Sequence, residues 1–123
     1  MVERILIDTD VLIEYIKGRL ELPKLPIYIS EITLYEYIRG TDKPSRYKKL
    51  LEESFPVIWI DNEILLKAVD IWIQLKNKDM LIDDRDLIIG ATAIVRNMKL
   101  YTLNKKHFDR LNKYGLKYYD HKT

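Results

Sequence analysis

The stretch ERILIDTDVLIEYIKG, residues 3–18, ends an apolar run abruptly in an acidic Asp-Thr-Asp sequence that begins at Asp8. Residues 2–7 are predicted to form a short strand, because such a run is typical of a strand buried on both faces of a parallel sheet. Residues 11–17 have the pattern of a short helix. Since ligands of open parallel sheets bind at the carboxyl ends of the strands, Asp8 is predicted to lie at the ligand-binding edge.

Strands and helices continue to alternate along the chain. Ser30 is a preferred N-cap residue and Gly40 a preferred C-cap residue, so residues 31–39 are predicted to form a helix. Further helices are predicted at 44–54, 61–78, 84–96 with Asp83 as its cap, and 105–113, and extended segments at 27–29, 56–60, 99–103 and 116–119. The apolar face predicted for the helix at 61–78 consists of Ile64, Leu65, Ala68, Val69, Trp72 and Leu75.

This alternation predicts the fold class. Strands that alternate with helices imply right-handed crossovers and a parallel sheet with helices on its faces. We therefore predict an α/β fold, a three-layer α/β/α sandwich with a mostly parallel central sheet. The length is that of one domain, so residues 1–123 are expected to form a single domain.

The composition excludes several classes of protein. The chain contains no cysteine, which removes disulfide frameworks and thiol nucleophiles and suits a reducing cytoplasm. No apolar stretch approaches the roughly 18 residues of a membrane span, and the N-terminus lacks the pattern of a signal peptide. The 21 basic and 19 acidic residues nearly balance, so net charge alone does not predict nucleic-acid binding. We expect a soluble cytoplasmic protein without membrane contact.

Asp8 and Asp86 each have a structural and a functional explanation. Asp8 could simply cap the helix that follows it. Asp86 falls in the first turn of a predicted helix, where a carboxylate complements the helix dipole. However, three aspartates lie within residues 83–86, which is more than capping requires, and the small residue Gly90 would let this helix pack closely against a neighbour.

Glu36 and Asn104 are weaker candidates when each is considered alone. Glu36 lies four residues after Ile32 and therefore shares a helix face with an apolar side chain. It could simply pair with Arg39 or Arg85. Asn104 follows the predicted strand at 99–103, where an asparagine commonly stabilises a loop.

Together the four positions indicate a metal site more strongly than any one of them does. Asp8 and Asn104 follow strands, whereas Glu36 and Asp86 lie on helices that could flank the same edge of the sheet. Clustered carboxylates repel one another and are costly to bury unpaired, and a divalent cation relieves this repulsion. A site made only of oxygen ligands suits Mg²⁺ or Mn²⁺. Such a cation could polarise a phosphoryl oxygen and activate water.

The pattern resembles the PIN domain, and within it the VapC-like toxins of type II toxin–antitoxin systems. The matching pieces are LIDTDVLIEYIKG, SEITLYEYIRG, DLIIGATAIVRNMKLYTLNKKHF and GLKYYD, which span almost the whole chain. The resemblance implies an α/β/α sandwich in which Asp8, Glu36 and Asp86 are metal ligands. The fourth acidic position of the family corresponds to Asn104, which carries no charge, although its carbonyl could bind a water. Thr9 and Asp10 would orient these ligands.

The resemblance also implies a reaction and its partners. Water activated by Mg²⁺ or Mn²⁺ would attack the phosphorus of single-stranded RNA in line, leaving 5′-phosphate and 3′-hydroxyl ends. The family implies a homodimer and a small VapB-like antitoxin that covers the active site. His107 is expected to be a surface or packing residue. Contacts with the RNA backbone are expected from Arg39, Lys43, Arg46, Arg85, Lys105 and Lys106.

Three alternatives remain open at this point. A haloacid-dehalogenase-like phosphatase would use Asp8 as nucleophile and Asp10 as general acid, with Asp83 or Asp84 on Mg²⁺, but it gives Glu36 no role. A receiver-type signalling domain would use Asp8 and Asp10 as its acidic pair and Asp61 as phosphate acceptor. A PIN domain that only binds RNA or protein is the third.

Overall fold

Within residues 2–120, which the computed structural model describes, the sheet consists of the strands β1 (Ile5–Ile7), β2 (Ile27–Ser30), β3 (Val57–Ile58) and β4 (Lys99–Tyr101). Their spatial order is β3-β2-β1-β4, and every pairing is parallel. Ile7 is in register with Ile29 on one side and with Tyr101 on the other. The carboxyl ends of β1, β2 and β4 therefore meet at one edge of the sheet, as the sequence predicts.

The helices of the described residues are α1 (Thr9–Ile16), α2 (Glu31–Arg39), α3 (Pro44–Ser54), α4 (Asn62–Asn77), α5 (Asp84–Arg96) and two 3₁₀-helices at Lys105–His107 and Asp109–Tyr114. The predicted cap of α2 is confirmed, because the Oγ atom of Ser30 accepts a hydrogen bond from the amide of Thr33 at 3.1 Å. Asp61 caps α4 in the same way, accepting from the amide of Ile64 at 2.9 Å. These local signals fix where the long helices begin.

Helices cover both faces of the sheet, which confirms the predicted three-layer sandwich. Successive residues of β1 face opposite sides. Leu6 packs in a core cluster with α4 and α5, whereas Ile5 and Ile7 pack in a second cluster with α1 and α3. All three side chains are fully buried, which explains why polar and apolar residues do not alternate along this strand. No helix of residues 2–120 is long and apolar enough to cross a bilayer.

Several predicted elements prove shorter or less regular. The strand β1 starts at Ile5, whose amide donates to the carbonyl of Pro26, and before it the carbonyl of Arg4 still accepts from the amide of Lys99. The helix predicted at 105–113 is two 3₁₀-helices separated by the fully buried Phe108. The segment at 116–119 makes one isolated bridge to β4 instead of a strand.

The buried face of α4 is rotated relative to the prediction. The residues of α4 that are buried are Ile64, Ala68, Ile71 and Leu75. Leu65 and Val69, which were predicted to share this face, are 52% and 47% exposed. The prediction is wrong for these two residues because packing of α4 on α5 sets the rotation of the helix, which its sequence pattern alone left ambiguous.

Candidate active site

Asp8 lies at the carboxyl end of β1 and is 2% exposed. It caps α1, since its Oδ1 atom accepts a hydrogen bond from the amide of Thr9 at 2.8 Å. Its Oδ2 atom accepts from the hydroxyl of Thr102 at 2.9 Å, which joins it to the end of β4. Asp8 therefore both caps α1 and lies at the ligand-binding edge of the sheet. The sequence alone left these two explanations as alternatives.

Glu36 and Asp86 reach the same place from two helices. Glu36 extends from α2, and its Oε1 atom accepts a hydrogen bond from the hydroxyl of Thr9 at 2.6 Å. Asp86 lies in the first turn of α5, and the residue is 4% exposed. The predicted convergence of Asp8, Glu36 and Asp86 is therefore present in the geometry, although the segments that carry them are far apart in sequence.

The guanidinium group of Arg85 lies between these three carboxylates. Its Nη2 atom is 2.8 Å from Oδ1 of Asp8, its Nε atom is 2.6 Å from Oε2 of Glu36, and its Nη1 atom is 2.5 Å from Oδ1 of Asp86. One positive charge is thus surrounded by three acidic groups. The cluster is left with an excess of negative charge, which a divalent cation could neutralise.

The pKa shifts follow from this arrangement. Burial raises the pKa of Asp86 and the charge of Asp8 adds to this, while the bond from Arg85 opposes it. Burial alone would lower the pKa of Arg85, but its hydrogen bond to Glu36 and the negative charges of Asp8 and Glu36 raise that pKa above its ordinary value. Arg85 is therefore a permanent cation at this site.

Asp10 and Asn104 form a pair beside the three carboxylates. The Oδ2 atom of Asp10 accepts from the Nδ2 atom of Asn104 at 2.7 Å and from the amide of Leu103 at 3.1 Å, and its Oδ1 atom accepts from the amide of Val11 at 2.8 Å. Burial and the nearby charge of Asp8 raise the pKa of Asp10. Asp10 therefore anchors the loop that carries Asn104, and Asn104 is positioned through it.

Two open clefts share Lys106 and His107, and Asp86 lines the smaller of the two. One, of about 660 Å³, is lined also by Asn104 and Lys105, and the other, of about 420 Å³, by Asp83, Asp86 and Arg110. The Nδ1 atom of His107 lies 3.9 Å from Oδ2 of Asp86, and the His107 side chain is 59% exposed. His107 is thus a surface residue, as expected, and it lies next to Asp86 at the candidate active site. Asp83 occupies the predicted N-cap position of α5, but its side chain makes no capping hydrogen bond.

The donor set is suitable for a hard divalent cation, because three carboxylates converge here and the chain has no cysteine. As they stand, however, no three acidic, histidine or cysteine side chains within residues 2–120 form a ready metal-binding group. The reason is visible in the geometry, since the three carboxylates are arranged around a guanidinium group instead of around a single point.

The position of Arg85 at the centre of the site was not predicted from the sequence. The sequence predicts Arg85 only as a partner of Glu36 or as a contact for RNA. A signal was nevertheless available, because a basic residue in the first turn of a helix opposes the helix dipole and needs acidic partners nearby. The hydroxyl of Thr33, which lies 3.1 Å from that of Thr9, was missed as well.

Comparison with known sequences identifies the family. The profile of the PIN domain matches residues 5–114. Ribonuclease VapC1 of Methanocaldococcus jannaschii is 48% identical to the chain over 120 residues, which cover 95% of this chain and 88% of the relative.

Solved structures agree with this similarity. The structure of VapBC-1 from nontypeable Haemophilus influenzae matches with a TM-score of 0.78 and 27% identity, covering 95% of this chain and 97% of that chain. The DNA-bound VapBC of Salmonella typhimurium matches with a TM-score of 0.75 and 26% identity, covering 98% of both chains. With its parallel sheet and its acids at the carboxyl edge, the chain belongs to the PIN-domain family, and within it to the VapC-like ribonucleases.

Proposed function

We propose that this chain is an endoribonuclease that cleaves single-stranded RNA with the help of Mg²⁺ or Mn²⁺, and that it is the toxin of a toxin–antitoxin pair. The observation that carries the proposal is the convergence of Asp8, Glu36 and Asp86 at the carboxyl edge of the sheet. The resemblance to the PIN domain, which implies these three residues as metal ligands, supports the part of the proposal that concerns the cation. Residues 1–123 would act as a single nuclease domain in the cytoplasm, where the RNA is found.

Asp8, Glu36 and Asp86 would bind the cation, and the rest of the chain keeps their oxygens in place. A divalent cation bound there would polarise a phosphoryl oxygen and lower the pKa of a water molecule. Thr102 fixes the carboxylate of Asp8, and Thr9 fixes that of Glu36. We assign Asn104 the task of orienting water through its side-chain carbonyl, since its amide is directed to Asp10.

The two clefts beside the acids are the proposed path of the RNA. They share Lys106 and His107, and the smaller one continues past Asp86 to Arg110. Lys106 and Arg110 supply positive charge where the phosphates of a strand would pass the carboxylates, and contacts of this kind position a backbone without selecting a sequence. Because the carboxylates are nearly buried, a flexible single strand can approach them more closely than a rigid duplex can.

The proposed protein partner is a VapB-like antitoxin. Leu65, Val69 and Ile73 form an exposed apolar stripe at helical spacing on α4, which is unusual for a surface helix. Beside it, a groove between α4 and α5 extends to Asp84, the neighbour of Arg85. An apolar segment of the antitoxin in this groove would end next to the active site. The matched structures named above are of VapBC proteins, which supports this assignment.

A homodimer is proposed from the family resemblance, and size-exclusion chromatography with light scattering tests it. A species of one chain mass at micromolar concentration would contradict the dimer without affecting the nuclease. The antitoxin groove is tested separately by replacing Val69 with Asp, which should abolish capture by the antitoxin and leave RNA cleavage unchanged.

The phosphatase alternative is not favoured by the geometry. A general acid must present a free carboxyl oxygen to the substrate, whereas both oxygens of Asp10 accept hydrogen bonds from the chain itself. The alternative also leaves the contact between Glu36 and Arg85 without a purpose. No observation on the described residues favours a receiver domain over a nuclease.

The cleavage reaction itself tests the proposal. The purified protein is incubated with a fluorescently labelled single-stranded RNA in the presence of Mg²⁺, Mn²⁺ or EDTA. We expect cleavage with either cation, no cleavage with EDTA, and a loss of several orders of magnitude in Asp86→Asn. The control is Asp70→Asn, which alters an exposed aspartate of α4 that accepts a hydrogen bond from Gln74. Full activity of Asp86→Asn, or cleavage that persists in EDTA, would contradict the proposal.

A further inference from the structure

Arg85 uses a different nitrogen atom for each of the three carboxylates. Nε donates to Glu36, Nη1 to Asp86 and Nη2 to Asp8, with distances of 2.5 to 2.8 Å between the nitrogen and oxygen atoms. A guanidinium group presents its donors in a planar fork, so a side chain that serves three separate acids at once is held firmly. This arrangement ties β1, α2 and α5 together in the absence of any ion.

The remaining oxygens of the cluster are largely taken by threonine hydroxyls. Oδ2 of Asp8 accepts from Thr102, and Oε1 of Glu36 accepts from Thr9. A cation that contacts all three carboxylates at once must lie between them, which is where the guanidinium group of Arg85 lies now. Since Mg²⁺ requires oxygens at about 2.1 Å, the cation and the guanidinium group cannot occupy the centre of the cluster together.

The charges of the cluster indicate that a divalent cation would bind the three carboxylates more strongly than Arg85 does. Arg85 brings one positive charge to three carboxylates, whereas the cation brings two. The side chain of Arg85 is 31% exposed, so it has a way out toward solvent when the cation enters.

We propose that Arg85 is an internal competitor for the divalent cation: it pairs with the three carboxylates in the metal-free protein and is displaced when the cation binds. This inference rests on the proposed metal site and adds a residue that controls its occupancy. The metal-free chain keeps its buried acids paired, and the active site fills only when the free cation concentration overcomes the bonds of Arg85.

Calorimetric titration with Mn²⁺ tests the competition without reference to activity. Arg85→Gln removes the competing charge, and we expect it to bind Mn²⁺ at least tenfold more tightly than the natural chain. Arg85→Lys keeps one charge but cannot contact three acids, so its affinity should lie between the two. The matched control is Arg19→Gln, which removes an exposed arginine beyond the far end of α1. Equal or weaker binding by folded Arg85→Gln would overturn the proposal.

A measurement on the natural chain guards against a variant that fails to fold. The Nε–H group of Arg85, bonded to Glu36, should give a protected resonance in a ¹⁵N–¹H spectrum in EDTA. Saturating Mg²⁺ should remove this protection, whereas an unchanged resonance under saturation would contradict displacement. If neither the natural chain nor any variant bound a cation, the proposed metal site would fail as well. If all bound it with equal affinity, only the competition would be wrong.

Discussion

The Nε atom of Arg85 lies 2.6 Å from the Oε2 atom of Glu36, although 49 positions separate the two residues in sequence. This contact joins α2 to α5 at the edge of the sheet where Asp8 lies. It also places Glu36 in the site. The sequence alone did not establish this, because Glu36 lies on a helix face that carries both polar and apolar residues. The role of Glu36 is therefore the sharpest single test of the proposed chemistry.

Replacing Glu36 with Gln should reduce the rate of RNA cleavage by roughly two orders of magnitude or more, because it keeps the shape of the side chain and removes a charge that the cation requires. The rate constant under single-turnover conditions measures this effect. Glu53→Gln, an exposed change on α3, is the control. A phosphatase that used Asp8 and Asp10 would retain its activity in Glu36→Gln, so the same variant separates the two functions.

Replacing Lys106 with Gln should raise the KM for RNA roughly three- to tenfold and leave kcat nearly unchanged, because Lys106 lines both clefts and has no place among the acids. The slope of log KM against log salt concentration should decrease by about one, which is the contribution of one phosphate contact. Lys17→Gln, at the far end of α1, serves as the control. An unchanged KM and an unchanged salt slope would remove Lys106 from the RNA path.

The sequence predicted the parts of the fold that depend on local signals. Ser30 and the proline at the start of α3 mark helix beginnings through backbone chemistry that acts within one turn. The position of Asp8 was predictable too, because a parallel sheet brings the carboxyl ends of its strands to one edge. Such rules need no knowledge of how the helices pack. Glu36 and Asp86 lie on helices, so their convergence with Asp8 was expected from the combined pattern and from the resemblance to the PIN domain.

What the sequence could not predict depends on packing between elements. The exposure of Val69 follows from the rotation of α4 against α5, and several rotations satisfy the same apolar pattern. The place of Arg85 depends on a side-chain conformation that is favourable only once three acids have converged. The 3₁₀ geometry after β4 follows from burial of Phe108 in the shared core, which a short basic segment does not reveal.

Replacing Gly90 with Ala should destabilise the fold by about 1 to 2 kcal/mol, although alanine normally favours a helix. A methyl group at Gly90 would lie 2.2 Å from Cδ1 of Leu111, which is fully buried and cannot move freely. Gly40→Ala is the control, since a methyl group there meets the carbonyl oxygen of Tyr37 at an ordinary 3.6 Å. Urea denaturation measures the free energy of unfolding of both variants. Equal stability for the two would show that the Leu111 side chain can move away from the added methyl group.

The raised pKa of Tyr118 predicts that the free energy of unfolding changes with pH in the alkaline range. Its hydroxyl donates to Oδ1 of Asp109 at 2.8 Å, and its pKa is raised by burial, by this hydrogen bond and by the charge of Asp109. The unfolded chain therefore loses the tyrosine proton first, near pH 10, and stability contributed by Tyr118 is present below that pH and is lost as pH rises further.

The comparison with Tyr118→Phe isolates this effect, because the two proteins differ only at this hydroxyl group. At pH 8 the variant should be less stable by about 1 kcal/mol, the value of one hydrogen bond. From pH 10 upward the difference in the free energy of unfolding should shrink. A difference that stayed constant or grew with pH would contradict the raised pKa.

Exchanging Asp10 and Asn104 tests how the loop after β4 is positioned. Asn104→Asp would place two carboxylates where Nδ2 now donates to Oδ2 at 2.7 Å, and should destabilise the chain by about 1 kcal/mol at this partly exposed position. The double variant Asp10→Asn/Asn104→Asp restores a donor opposite an acceptor, so it should be more stable than the sum of its single changes predicts. Urea denaturation gives this coupling energy, and the cleavage rates should follow the same order if the bond positions Asn104 for catalysis. Strictly additive effects in both measurements would mean that Asp10 and Asn104 act independently.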